Sequence, residues 1–175
     1  MIRPDISENQ VNKKAYLAIG SNLGNKKLNI ESAKSLLQKY GINILKCSSN
    51  YESTSWPDPK KPKFINIVIE IKTNFSAYKL LNICNKIEII LGRKRYNKNE
   101  PRTCDIDIID YNHVVLKSNN FKKLILPHPK LSNRSFVLLP LFEISKTWIH
   151  PKTKINIVKL MNSLNIQDLR SIKQI

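Results

Sequence analysis

The segment Phe64-Ile-Asn-Ile-Val-Ile-Glu-Ile71 places isoleucine at every second position, Ile65, Ile67, Ile69 and Ile71, with Phe64, Asn66, Val68 and Glu70 between them. Side chains alternate faces along a strand, so one face is wholly apolar and must pack. The other face sets an aromatic beside an amide. A chain carrying this pattern needs a sheet covered on its isoleucine face, and the flanking segments supply the cover.

Ala15 to Ile19 reads as a first strand and Gly20-Ser-Asn-Leu-Gly-Asn25 as a tight turn. Helical spacing runs from Leu28 to Tyr40 and stops at Gly41. Ile42 to Ser53 is a second extended segment, followed by a loop with Pro57, Pro59 and Pro62. From Ser76 to Leu91 the spacing is again helical, with Leu80, Leu81, Cys84, Ile87 and Leu91 as its apolar stripe and Glu88 inside that stripe. Gly92 ends this helix, 93–103 is a basic loop, and Asp105 to Tyr111 is the fourth strand. The order β-α-β-β-α-β predicts an α+β, ferredoxin-like split βαβ core, its antiparallel sheet carrying two helices on one face. A short ribbon near His113 to Lys117 and short helices over Asn133 to Ile144 and Ile155 to Leu164 would follow. Residues 1–14 are expected to be a polar, frayed extension and 15–175 a single domain.

The fourth strand carries the chemistry. In Pro101-Arg-Thr-Cys-Asp-Ile-Asp-Ile108, Asp105 and Asp107 share one face and Ile106 and Ile108 the other. The chain has 13 acidic residues against 30 basic ones, and pairing two carboxylates on one face calls for a cation between them. A divalent metal site is therefore expected, and Arg93, Arg95 and Arg102 stand within reach along the chain. Magnesium takes a few carboxylates plus phosphate oxygens, and two such ions can clamp a phosphate chain during in-line displacement. His128 and Arg134 form a second polar cluster suited to phosphate. A flat heterocycle could stack between Phe64 and Phe136 while Asn66 reads its edge.

The net charge of +17 bears on nucleic acid. The lysines are dispersed rather than clustered, and paired aspartates would repel a phosphate backbone. An anionic small molecule is the expected partner, with a nucleic-acid-binding ferredoxin-like module as the alternative. Cys47, Cys84 and Cys104 are odd in number without CxxC spacing, and are expected to be core thiols. No apolar run approaches a membrane span and no signal-peptide core opens the chain, so a cytoplasmic location is expected.

Taken in order, Ala15-Tyr-Leu-Ala-Ile-Gly-Ser-Asn-Leu-Gly24, Ser48-Ser-Asn-Tyr-Glu52, Phe64-Ile-Asn66, Leu91-Gly-Arg-Lys-Arg95, Pro101-Arg-Thr-Cys-Asp-Ile-Asp107, Leu126-Pro-His-Pro129 and Asn133-Arg-Ser-Phe-Val-Leu-Leu-Pro-Leu141 resemble the 6-hydroxymethyl-7,8-dihydropterin pyrophosphokinases of folate biosynthesis. The resemblance covers most of the chain. It implies diphosphate transfer from ATP to the pterin hydroxymethyl group with release of AMP; apart from the resemblance, a monomer with no membrane or nucleic-acid partner is expected. It assigns two magnesium ions to Asp105 and Asp107, and charge stabilisation to Arg93 and Arg102. ATP contacts fall to Glu88, Arg95, Ile108, His128 and Arg134, and pterin contacts to Ser53, Thr54, Trp56, Phe64, Asn66 and Phe136. Phe64 stands where tyrosine is common in the family. The segment Tyr96-Asn-Lys-Asn-Glu100 lacks the Arg-Trp pair that some members carry.

Overall fold

The computed structural model describes residues 12–55, 58–93, 100–118 and 124–175. Strand β1 (Lys13–Ser21) leads to helix α1 (Lys26–Lys39), then β2 (Asn43–Cys47), β3 (Tyr51–Ser53) and β4 (Phe64–Thr73). Helix α2 (Ala77–Ile90) and strand β5 (Asp105–Tyr111) complete the core. The C-terminal part holds a 3-10 turn (Leu131–Asn133), helices α3 (Ser135–Ile144), α4 (Ile157–Asn162) and α5 (Ile166–Arg170), and strand β6 (Ile172–Gln174). All pairings are antiparallel in the order β5-β1-β4-β3-β6, with β2 also on β4. The split βαβ expectation holds, with β1 and β4 at the centre.

Local chemistry sets both core helices. Asn25 caps α1 by accepting the Leu28 N–H at 3.1 Å, and Ser76 caps α2 through Lys79 N–H at 3.3 Å. Gly41 and Gly92, both at φ +80°, turn the chain out of the helices in a conformation that a β-carbon disfavours. Ile30, Ala33 and Leu37 of α1 and Leu80, Ile83, Cys84 and Ile87 of α2 are buried against Ile65, Ile67, Ile69 and Ile71 of β4. Each fully buried isoleucine contributes roughly 1.5–3 kcal/mol of transfer free energy.

Four features depart from the sequence reading. Strand β1 starts at Lys13 and runs through Gly20 and Ser21, which had been assigned to the turn. The segment Ile42 to Ser53 is two strands rather than one. Between them the Ser48 N–H donates to Val68 O at 2.9 Å and the Ser48 hydroxyl accepts the Val68 N–H at 3.0 Å, so a side chain carries the ladder across the break. Cys47 is exposed, whereas Cys84 and Cys104 are buried. The sheet face opposite α1 and α2, for which the sequence reading names no cover, is half covered: Tyr16, Val68 and Ile109 pack under Val137, Leu138, Leu141, Trp148, Ile157 and Leu160.

A bulge in the β1–β5 pairing makes that second layer possible. Leu17 opposes Ile108 while Tyr16 opposes Asp110, leaving Ile109 as the extra residue. Ile108 faces the helices and Ile109 the C-terminal layer, where the Trp148 indole N–H donates to the buried Asp110 carboxylate at 2.9 Å.

Candidate active site

The uncovered half of the sheet is the floor of a cleft of about 740 Å³. The cross-strand register puts Asp105 of β5, Gly20 of β1 and Asn66 of β4 in one row, with Ser53 of β3 beside Phe64. Asp107, Arg102, Arg134, Phe136 and Thr54 join the same lining. Nine of the sequence-assigned residues therefore meet in one cleft although they lie as far apart in the chain as Ser53 and Phe136.

The two aspartates are neutralised by a shell of cations. Arg93 Nη1 bonds Asp105 Oδ1 at 2.5 Å and Glu88 Oε1 at the same distance, and Arg102 Nη2 reaches Asp105 Oδ2 at 2.6 Å. Arg134 Nη1 donates to Asp107 Oδ2 at 3.2 Å. Burial works against the Arg93 charge, yet the flanking Asp105 and Glu88 carboxylates hold its pKa above the usual guanidinium value. His128 is pinned by its N–H to Ile109 O at 2.9 Å. Its Nδ1 accepts the Lys130 N–H at 3.2 Å, which assigns the proton to Nε2, 3.8 Å from Asp107. Burial lowers the His128 pKa, with Arg134 and Lys130 acting in the same direction and Asp107 opposing.

Arg102 and Arg134 also lie over aromatic rings. The Arg102 guanidinium carbon is 5.1 Å from the Phe64 ring centre, and that of Arg134 is 5.5 Å from Phe136. The side chain of Asn66 is oriented by its own amide, which donates to Ser53 Oγ at 2.9 Å and Tyr51 O at 3.4 Å. Those bonds spend the nitrogen and leave Oδ1 as the acceptor presented to the cleft.

Four of the assigned residues sit elsewhere or outside the description. Ile108 is buried in the helix-facing core, so its side chain does not reach the cleft. Glu88 lies beneath β5, where besides Arg93 it accepts the Ile106 N–H at 2.8 Å; its place is under the aspartates rather than in the lining. Arg95 and Trp56 fall outside the described residues. Cys104 neighbours the site, but burial, reinforced by Glu88 and Asp105, pushes its thiol up to about 12 and keeps it protonated.

Sequence reasoning also missed residues. Asn22 is buried and its side chain ties three loops: Oδ1 accepts the Arg102 N–H at 2.7 Å, while Nδ2 donates to Pro62 O at 3.1 Å and Ser55 Oγ at 3.4 Å. The Gly-Ser-Asn motif signalled it, but the hydrogen-bond partners lie 33 to 80 positions away. Lys130, Asp168 and Ser171 line the cleft without any sequence signal, and Asn133, which opens the Asn-Arg-Ser-Phe motif, joins them.

The donor set suits a hard cation. Among the described residues no three His, Cys, Asp or Glu side chains gather around one point, so a bound ion would draw on the Asp105 and Asp107 oxygens and complete its shell from phosphates and water. The buried Arg102 Nε and Thr103 Oγ1 make no hydrogen bond among the described residues, and Arg102 lines the cleft beside the pair.

Residues 16–146 match the family described as 7,8-dihydro-6-hydroxymethylpterin-pyrophosphokinase (HPPK). The chain belongs to this family. It is 37% identical over 135 residues to the 2-amino-4-hydroxy-6-hydroxymethyldihydropteridine pyrophosphokinase of Bacillus subtilis, covering 77% of this chain and 79% of that one. It is 35% identical over 167 residues to the folic acid synthesis protein fol1 of Pneumocystis carinii, covering 95% of this chain and 22% of the fungal protein. The chain thus spans about a fifth of the fungal relatives it matches. The crystal structure of wild-type Plasmodium falciparum HPPK-DHPS superposes with a TM-score of 0.74 at 18% identity, covering 96% of this chain and 45% of that one. At that identity the match shows the fold, and HPPK domains share this sheet.

Proposed function

We propose that this chain transfers a diphosphate group from ATP to the hydroxymethyl oxygen of 6-hydroxymethyl-7,8-dihydropterin and releases AMP. One observation carries the reading: a single cleft joins a pair of aspartates ringed by Arg93, Arg102 and Arg134 to a Phe64, Asn66 and Phe136 platform. The first end suits a polyphosphate and the second a flat heterocycle. Magnesium ions held by Asp105 and Asp107 would supply charge neutralisation on the ATP phosphates. The Arg93 and Arg102 guanidinium groups stabilise negative charge developing on the transferred group, and Arg134 with His128 holds the remaining phosphates. Phe64 and Phe136 stack on the pterin, and the fixed Asn66 amide orients it. Positioning and charge stabilisation account for the acceleration, and no strong general base is required.

The working unit is read as a monomer, since one chain lines the whole cleft, and its place as the cytoplasm. Among the described residues no helix is long and apolar enough to cross a membrane. Purified protein given ATP, magnesium and the reduced pterin is expected to form AMP in step with pterin diphosphate. Release of ADP, or no turnover by a folded sample, overturns the reading.

A further inference from the structure

The cleft has a wall that the core fold does not provide. Strand β6 pairs with β3, setting Ile172 opposite Ser53, and Ser53 in turn opposes Phe64. This brings Asp168 and Ser171 to the lining at the end away from Asp105 and Asp107. The Ser171 hydroxyl donates to Asp168 O at 2.8 Å, and Asn165 Oδ1 accepts the Asp168 N–H at 2.7 Å, so the turn that carries Asp168 is fixed on both sides. The Asp168 side chain is half-buried, and no side chain among the described residues pairs with its carboxylate.

The sheet gives the direction. Neighbouring strands are about 4.8 Å apart, so β4 and β6 are separated by about 10 Å, close to the long dimension of a fused two-ring heterocycle. A ligand with its phosphates at β5 and its rings on Phe64 of β4 points its far edge at β6. Beside the Ser53 and Thr54 hydroxyls, the acceptors left unspent along that edge are Asn66 Oδ1 and the Asp168 carboxylate. They call for an edge of N–H donors. A carboxylate meets an amino group and the adjacent ring N–H through two parallel hydrogen bonds, the geometry it uses toward a guanidinium.

We propose that Asp168 determines specificity by receiving the 2-amino and ring N–H donors of the heterocycle. The inference rests on the pterin reading of the cleft and adds a residue to it. A ring bearing a 2-oxo group instead presents an acceptor, which the carboxylate repels.

The test compares wild type, Asp168→Asn and Asp168→Ala with two compounds, 6-hydroxymethyl-7,8-dihydropterin and its 2-oxo counterpart. Steady-state assays give kcat and KM, calorimetric titration gives Kd, and thermal melts verify folding. Expected for both variants is a tenfold or greater rise in KM and Kd for the amino compound, with the KM for ATP within twofold of wild type. Preference for amino over oxo falls at least tenfold in Asp168→Asn, whose amide can donate to the oxo group. Preference within twofold of wild type in Asp168→Asn overturns the proposal, because a merely structural role would weaken both compounds alike. Wild type that binds the amino compound without releasing AMP overturns the transfer reading and leaves the titration arm to decide on Asp168. Wild type that binds neither compound overturns both.

Discussion

Arg102 lies with its guanidinium carbon 5.1 Å from the centre of the Phe64 ring while its Nη2 holds Asp105 at 2.6 Å. One side chain therefore touches both ends of the cleft. Arg102→Ala is expected to lower kcat by about 10²–10³, the scale for losing one oriented donor at a developing charge. Arg102→Lys should recover little, since an ammonium cannot stack and fork at once. Single-turnover AMP formation measures both, and a change within threefold for Arg102→Ala would contradict the role.

Glu88 separates support from ligand contact. It is buried, pairs with Arg93 and accepts the Ile106 N–H, so Glu88→Ala strands a half-buried guanidinium and a buried amide. Loss of a buried partner costs about 3–5 kcal/mol, which lowers Tm by roughly 6–20 °C in a chain of this size. Glu88→Gln keeps an acceptor for Ile106 and should lose about half as much. Calorimetric melting tests this; an unchanged Tm in Glu88→Ala would assign Glu88 to the ligand instead.

Gly20 meets Asn66 across the sheet, and a β-carbon there would stand 3.0 Å from Asn66 Oδ1 and 3.6 Å from the Phe64 ring. Asn66 cannot swing aside without breaking its bond to Ser53. Gly20→Ala is expected to raise the KM for the pterin about tenfold, the scale of one impaired hydrogen bond to a fixed partner, with the KM for ATP unmoved. Equal rises in both constants would point to a general distortion.

Stability should fall at both extremes of pH through one cluster. Glu143 of α3 accepts from the Ser49 N–H and hydroxyl and from the Tyr51 hydroxyl at 2.8 Å. Burial, together with that bond to Glu143, pushes the Tyr51 pKa up to about 12 from 10.0. The raised value means that its contribution is complete below pH 10 and lost as pH rises toward 12. Glu143 is lowered: burial opposes, but the Ser49 and Tyr51 bonds outweigh it, so its contribution is present above its ordinary 4.5 and lost as pH falls below that. Denaturant midpoints against pH should show the alkaline loss in wild type and a flatter limb in Tyr51→Phe.

The parts of this fold that alternate or repeat were legible in the sequence. Ile65 to Ile71 announced a two-faced strand, Leu80 to Ile87 a helix stripe, and Asp105 with Asp107 a shared face, because period and packing are the same physics. The parts that were not legible have no period. Strand β6 is three residues held by main-chain bonds to β3, and nothing in Ile-Lys-Gln distinguishes it from coil. Asp168 reaches the cleft only because that pairing forms, more than 100 residues after Phe64. Glu88 drew notice as an acid in an apolar stripe, but its partner Ile106 N–H is a backbone group that no side-chain pattern records.

The extra residue at Ile109 divides β5 into two independent registers. Upstream, Asp105 and Asp107 take their facing from Gly20 and Ala18; downstream, Asp110 and Tyr111 take theirs from Tyr16 and Ala15. Substitutions that remodel the Trp148 side can therefore accumulate without rotating the aspartates. A deletion of Ile109 alone would leave Ile108 opposite Leu17 and Asp110 opposite Tyr16 in an unbroken ladder, so every facing survives and only the Ile109 side chain is lost from the layer around Trp148.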